Sequence, residues 1–271
     1  MKKIALIITA LLTLSTTAMA DDTGTIGSFV ETGTRTTNGV TTDFTTWIMT
    51  DGYFKGENWG NFALRYLSKK EQNQTNDNNG YTRIEFKPEY EKSFPKGNVG
   101  GRLIFAQANW DNDGGSNGFG VETWGSYKIN PKLRVDSRVY YVKEFMTAQD
   151  PNNYGDGDIQ LKSDILKGTV GIGAWYSPSI DDSDPTEIRG LLNYGKWFPN
   201  AKVYTYGFAE VQKITNVDES EKKYTKVGAV VSHVFTNHII VDAEVNRKET
   251  FDTENYDFAE NFFRAGIKYT F

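Results

Sequence analysis

The stretch that most constrains this chain is its end, Phe262-Phe263-Arg264-Ala265-Gly266-Ile267-Lys268-Tyr269-Thr270-Phe271. Taken every second residue, it splits into two unlike rows. Phe263, Ala265, Ile267, Tyr269 and Phe271 are apolar, whereas Arg264, Gly266, Lys268 and Thr270 are polar or small. That period is the period of a β-strand. An amphipathic strand that finishes on an aromatic residue suits the closing strand of a transmembrane β-barrel, whose outward face meets lipid and ends in an aromatic girdle. A terminal strand of a soluble sandwich would alternate in the same way, so the rest of the chain has to decide.

The amino terminus gives an address. Met1-Lys2-Lys3 is basic, Ile4 to Leu14 is apolar, and Ala18-Met19-Ala20 is a small-x-small cleavage site. This is the grammar of a secretory signal peptide, and its apolar stretch is too short to span a bilayer. Residues 1–20 are therefore expected to be removed, leaving one domain over 21–271 that starts at Asp21.

Composition narrows the choice. Past the signal no apolar run reaches the ~18 residues of a membrane helix. A membrane-resident chain of this kind must then be a closed barrel, because only helices and closed barrels satisfy every backbone group in lipid. The chain has no cysteine, which removes disulfides and thiolate chemistry. Loss of Lys2 and Lys3 takes the basic count from 30 to 28 against 35 acidic residues, a net of −7. Nothing in that balance points to nucleic acid.

Strand follows strand, with no convincing amphipathic helix. Tyr81 to Tyr90 sets Arg83, Glu85, Lys87 and Glu89 against Ile84, Phe86 and Tyr90, with Pro88 marking a strand end or a bulge. Leu133 to Tyr141 sets Arg134, Asp136, Arg138 and Tyr140 against Leu133, Val135, Val139 and Tyr141. Ile239 to Asn246 sets Asp242, Glu244 and Asn246 against Ile239, Val241, Ala243 and Val245. Phe62–Lys69, Phe119–Ile129 and Ile188–Tyr194 alternate similarly. In Lys202–Lys213 the register is open, since Tyr204, Tyr206 and Phe208 compete with Val203, Ala209 and Val211 for the lipid side.

Connections alternate between short turns and longer polar loops. The turns are Glu57–Gly60, Pro95–Asn98, Asn130–Lys132, Pro199–Ala201 and Thr236–His238. The loops are Gln72–Gly80, Asp111–Asn117, Ala148–Gly157, Pro178–Pro185, Asn216–Lys223 and Asp252–Asp257. Outer-membrane barrels keep short turns at the periplasm and longer loops outside. The alternation holds if Asp158–Ile165 and Thr169–Tyr176 are two strands joined at Lys167-Gly168. The expected fold is then an all-β, antiparallel up-and-down transmembrane barrel of about 14 strands, or about 12 if that hairpin fails.

The closing strand Phe263–Phe271, the segment Asn130-Pro131-Lys132-Leu133-Arg134 and the rhythm of one strand pair per loop resemble the OmpG-type monomeric porins. The resemblance implies a single-chain barrel of about fourteen strands that works as a monomer. A second resemblance is to the outer-membrane channels for oligogalacturonate or sialate, whose lumens carry arginine tracks. Here the faces read as lumen-lining carry Arg65, Arg83, Lys87, Arg102, Arg134, Arg138, Arg189, Arg264 and Lys268. They also carry Glu85, Glu89, Glu122, Asp136, Glu187, Asp242 and Glu244, a mixture expected to pair and largely neutralise.

The function expected from this reading is passive diffusion of small hydrophilic solutes through a water-filled lumen, biased by lumen charge. Outer-membrane lipid and lipopolysaccharide are the expected surroundings. An acidic-oligosaccharide channel and a structural or adhesive barrel are the alternatives. No cofactor or metal is expected. A calcium-loop reading from Asp150 fails because Tyr154 stands where an oxygen ligand is needed and Leu161 where the closing Glu belongs. No enzyme is expected either. The histidines are His233, on a lipid-side register, and His238, in a short turn, and neither position suits a cell-surface active site. Carboxylate runs such as Asp181–Asp184 and Asp150–Asp158 read as solvated loops. Trp59, Trp110, Trp124, Trp175, Trp197, Tyr127, Tyr269 and Phe271 read as girdle or wall residues.

Overall fold

The computed structural model describes residues 23–37, 40–56, 60–73, 78–110, 114–146, 152–180, 185–250 and 258–271. Residues 1–20, expected to be a signal peptide, lie outside these residues. The strands are β1 (Thr23–Thr37), β2 (Val40–Gly56), β3 (Gly60–Asn73), β4 (Asn78–Phe94), β5 (Gly97–Trp110), β6 (Gly114–Asn130) and β7 (Leu133–Met146). They continue with β8 (Asn152–Ile165), β9 (Gly168–Ser177), β10 (Thr186–Phe198), β11 (Val203–Thr215), β12 (Glu221–Val234), β13 (Ile239–Thr250) and β14 (Phe258–Thr270). Each pairs antiparallel with its neighbour in sequence, and β14 pairs with β1 to close the sheet. The count is the expected fourteen.

The doubtful hairpin is present. Ile165 pairs with Gly168, and the two turn residues Leu166 and Lys167 both have positive φ, 53° and 60°. That is the geometry of a type I′ turn, whose twist matches the strands it joins.

The two faces follow from exposure carried around the sheet by register. Ile84, Phe86 and Tyr90 are exposed, while Arg83, Glu85 and Lys87 between them are buried. Directly opposed residues share a face, so each ladder hands the assignment on. Val30, Val121, Val139, Ile159, Ile172, Leu192, Val211, Val227, Val245, Phe263 and Ile267 fall on the outer, exposed face. A slanted ribbon of rings crosses this outer face. It runs Phe271–Phe54 (6.1 Å), Phe54–Phe62 (4.8 Å), Phe62–Phe86 (5.7 Å), Phe86–Phe105 (6.4 Å) and Phe105–Phe119 (5.5 Å). Phe271 spans β1 at Gly24, where a Cβ would come within 2.4 Å of its ring. A glycine is needed there for the closing ring to lie flat.

On the inner face the driest side chains are Ile104 and Val142, both fully buried, on β5 and β7. Val142 covers Gly120, whose backbone leaves room for it. The inner wall is therefore partly a packed core.

Two expectations need correction, and one reading left open is resolved. Pro88 neither ends its strand nor makes a bulge. β4 runs on to Phe94, and the ladder to β5 skips Lys87 and Pro88 and resumes in the same register at Glu89↔Arg102. One lost donor is a local gap, because both flanking segments are held by the same partner strand. The expected long loops are shorter than they looked. Gln72–Asn73 and Asn78–Gly80 belong to β3 and β4, Gly114–Asn117 to β6, Asn152–Gly157 to β8, and Glu221–Lys223 to β12. Strands that rise beyond the lipid have water on both faces, so their sequence loses its apolar period there. Third, β11 resolves the open register. Tyr204, Tyr206 and Phe208 face inward, and Val203, Ala209 and Val211 face out.

Candidate functional site

All sixteen charged residues read as lumen-lining lie on the inner face of the sheet, where the register joins them in ion pairs. Arg65 Nε donates to Asp51 (2.7 Å) and its guanidinium lies 4.0 Å from Glu85. Arg102 bridges Glu122 (2.5 Å) and Glu89 (3.7 Å). Arg138 reaches Asp156 (2.6 Å), Asp158 (2.9 Å) and Glu122 (3.7 Å). Asp136 takes Lys162 (2.7 Å) and Arg134 (3.3 Å). Arg264 joins Glu244 (2.8 Å) and Glu31 (3.7 Å), Lys268 meets Asp242 (2.7 Å), and Arg189 meets Glu187 (2.5 Å).

Arg83, Glu85, Lys87, Glu122 and Asp242, read from the sequence as lining a water-filled lumen, are buried. Arg83 donates to Glu85 (2.7 Å), to Glu144 and to the Tyr154 hydroxyl (2.8 Å), while Lys87 closes on Glu85. The Tyr140 and Tyr154 rings meet at a tilt of 38°, their centroids 5.8 Å apart. Long neighbouring side chains cover these charges, and within the Arg83 cluster hydrogen bonds and ion pairs join the two signs.

Depth separates the two signs in four of the arginine and lysine groupings. Lys268 is 38% exposed and its partner Asp242 3%; Arg138 is 38% exposed and Glu122 7%. The pairs of Arg102 and Arg264 are ordered in the same way. In these pairs the carboxylate lies against the wall and the cation end stands further into the lumen, whereas in the Arg83, Glu85, Lys87 and Glu144 cluster both signs are buried alike. A solute there meets guanidinium and ammonium groups before carboxylates, although the paired charges balance.

The inner face also holds aromatic residues that the sequence reads as girdle or wall. Trp124 lies across Gly100 beneath Arg102 (5.6 Å to the ring), and Trp175 lies beneath Arg189 (4.0 Å). Trp197, opposite Tyr204 in the β10–β11 ladder, also faces inward. Tyr127, Tyr269 and Phe271 face out. Trp59 and the Trp110 side chain lie outside the described residues. His233 faces out, and His238 sits in its turn with Nδ1 2.7 Å from the Thr270 carbonyl.

Sequence reasoning missed Glu31, Asp51, Glu144, Asp156, Asp158 and Lys162. Asp156 and Asp158 fall in a run read as a solvated loop, although Asp158 also opens the expected strand Asp158–Ile165; both sit on β8 and hold Arg138. The signal was available in the period-two run Tyr154, Asp156, Asp158, Gln160, Lys162, which shares one face. Expected loop residues 150 and 181–184 lie outside the described residues.

Comparison with known proteins agrees with this geometry. The model of the outer membrane protein beta-barrel domain matches residues 85–271. No curated protein matches the sequence. Among solved structures, the chain is similar in fold to the CymD monoaromatic hydrocarbon channel (TM-score 0.62, 10% identity, covering 92% of this chain and 88% of that one). It is also similar to the TodX monoaromatic hydrocarbon channel deltaS2 mutant (0.60, 8%, 92% and 90%) and to a Pseudomonas aeruginosa FadL homologue (0.60, 6%, 92% and 90%). Identities this low speak to fold alone. With two-thirds of its length matched and its sheet closed, the chain belongs to the outer membrane protein beta-barrel family and is a fourteen-strand barrel of the bacterial outer membrane.

Proposed function

We propose that the barrel is a channel for passive diffusion of small hydrophilic solutes, close in character to the OmpG-type porins. The observation that carries this reading is the inner face itself, a ring of ion pairs around a closed sheet. Charges are held there at a cost that only water or pairing offsets. Fourteen strands enclose more space than the small barrels that side chains fill. Among the described residues, those outside the strands form turns and short connections at the strand ends. In this reading residues 1–20 are a signal peptide, the outer face meets lipid and lipopolysaccharide, the barrel acts as a monomer, and neither cofactor nor catalysis is involved. The aromatic-hydrocarbon transport named for the similar structures fits this lumen less well, because its walls are charged.

A second reading, uptake of acidic oligosaccharides, is favoured by the depth ordering of the pairs, which brings cations forward. Single-channel recording of the refolded mature chain in planar bilayers tests both. Discrete openings with weak ion preference are expected for the first reading. A reversal potential favouring chloride, with current blocked by galacturonate oligomers, is expected for the second. Correctly folded barrel without conductance would overturn both and leave a structural role.

A further inference from the structure

We propose that the periplasmic mouth holds a sugar-binding platform built on Trp197 and Tyr204; this rests on the channel reading above. The two residues pair across β10 and β11 on the inner face beside the short turn at Pro199–Ala201. Tyr204 lies over Gly195, where a Cβ would sit 2.1 Å from its hydroxyl and 2.9 Å from Cζ, so the glycine forms the floor on which the ring rests. Tyr206 and Phe208 continue the line inward, 6.0 Å apart, and Phe208 rests in the same way on Gly228.

Other inner-face aromatics are capped, Trp124 by Arg102 and Trp175 by Arg189. Trp197 and Tyr204 are not. They are 44% and 37% exposed, and neither makes a hydrogen bond or ring contact through its side chain among the described residues. Uncapped rings that keep this much of their surface open to a watery channel offer flat apolar area at low conformational cost. Both rings border a cavity of about 660 Å³, together with Thr169, Asp164, Lys132 and Lys167. A pyranose presents an apolar C–H face and an edge of hydroxyls. Ring faces beside hydroxyl, carboxylate and ammonium groups match both parts of it, the combination found in ligand sites of mixed polarity. Thr169 Oγ1 donates to Asp164 Oδ1 (2.8 Å), and a hydrocarbon seated there would displace water from the neighbouring charges without replacing its hydrogen bonds.

The test uses the refolded mature chain with maltotriose as probe. Calorimetric titration of folded barrel in detergent measures binding without requiring conduction, and current block in bilayers measures it in the channel. Wild-type protein is expected to bind maltotriose and be blocked by it. W197A/Y204A is expected to lose at least about tenfold in affinity, with circular dichroism verifying that the barrel still forms. W197F/Y204F should keep most of the affinity. F198A, one residue away on the outer face, should leave it unchanged. The proposal falls if maltotriose does not bind wild-type barrel, if it binds the double alanine variant equally, or if toluene binds in its place. Binding without conductance would support the platform and overturn the channel reading instead.

Discussion

Arg83 brings its guanidinium to a place that water barely reaches, where Glu85, Glu144 and the Tyr154 hydroxyl surround it. Taking away one member of such a cluster leaves the others charged and dry, which typically costs about 3–5 kcal/mol. Arg83→Met is accordingly expected to lower barrel stability by about that amount, measured by urea unfolding in phospholipid vesicles. An unchanged midpoint would mean that lumen water reaches Glu85 and Glu144 after all. Alternation made it legible that Arg83, Glu85 and Lys87 share an inward face. It could not reveal Glu144 as a partner, since 61 positions separate the two residues and only the lateral packing of β4 through β7 brings them together. Depth was equally hidden. Asp242 and Lys268 look alike as lumen charges in sequence, yet one is buried and the other reaches into the channel.

Among the elements, the β8–β9 hairpin turns on two residues that are poorly suited to it. Leu166 and Lys167 both sit at positive φ, a conformation that costs an ordinary L-residue roughly 1–2 kcal/mol. Asn-Gly is the preferred pair for this turn. After allowing for glycine's greater freedom in the unfolded chain, L166N/K167G is expected to stabilise the barrel by about 1 kcal/mol. Vesicle unfolding would show it as a raised midpoint with unchanged slope, and a lowered midpoint would argue for a role of the exposed Leu166 side chain. The hairpin itself could be inferred because strict alternation of turns and loops required it. Strand lengths could not, because β4, β6 and β8 run into polar segments where water bathes both faces. The inward turn of Tyr204, Tyr206 and Phe208 was open for a related reason. Their strand is apolar on both sides, and only the ladders to β10 and β12 choose between them.

For the molecule as a whole, the join between β1 and β14 holds the sheet shut, and Phe271 completes it. Its N–H donates to the Gly24 carbonyl (3.0 Å), its carbonyl accepts from Gly24 N–H (3.1 Å), and its ring starts the outer ribbon. Deleting Phe271 removes two backbone bonds and a lipid-facing ring, a loss of about 3 kcal/mol. The expected outcome is a lower unfolding midpoint together with slower refolding into vesicles; refolding at the wild-type rate would place closure before the slow step. Strand number and closure were both legible, since turn rhythm and the character of the final strand point to an even, sealed count.

That join also orders events in time. Every other neighbour relation in the sheet links strands consecutive along the chain, so hairpins can assemble as soon as their residues emerge. β1 has to wait for β14, and the loop it closes is almost the whole described chain, with the entropic penalty that such a length carries. While it waits, the first and the latest strands both expose unpaired N–H and C=O groups, which invite pairing with another chain in water and are intolerable in hydrocarbon. A half-finished barrel of this kind therefore has no safe resting place in either solvent. Survival of the nascent protein depends on something shielding the β1 edge until its distant partner arrives.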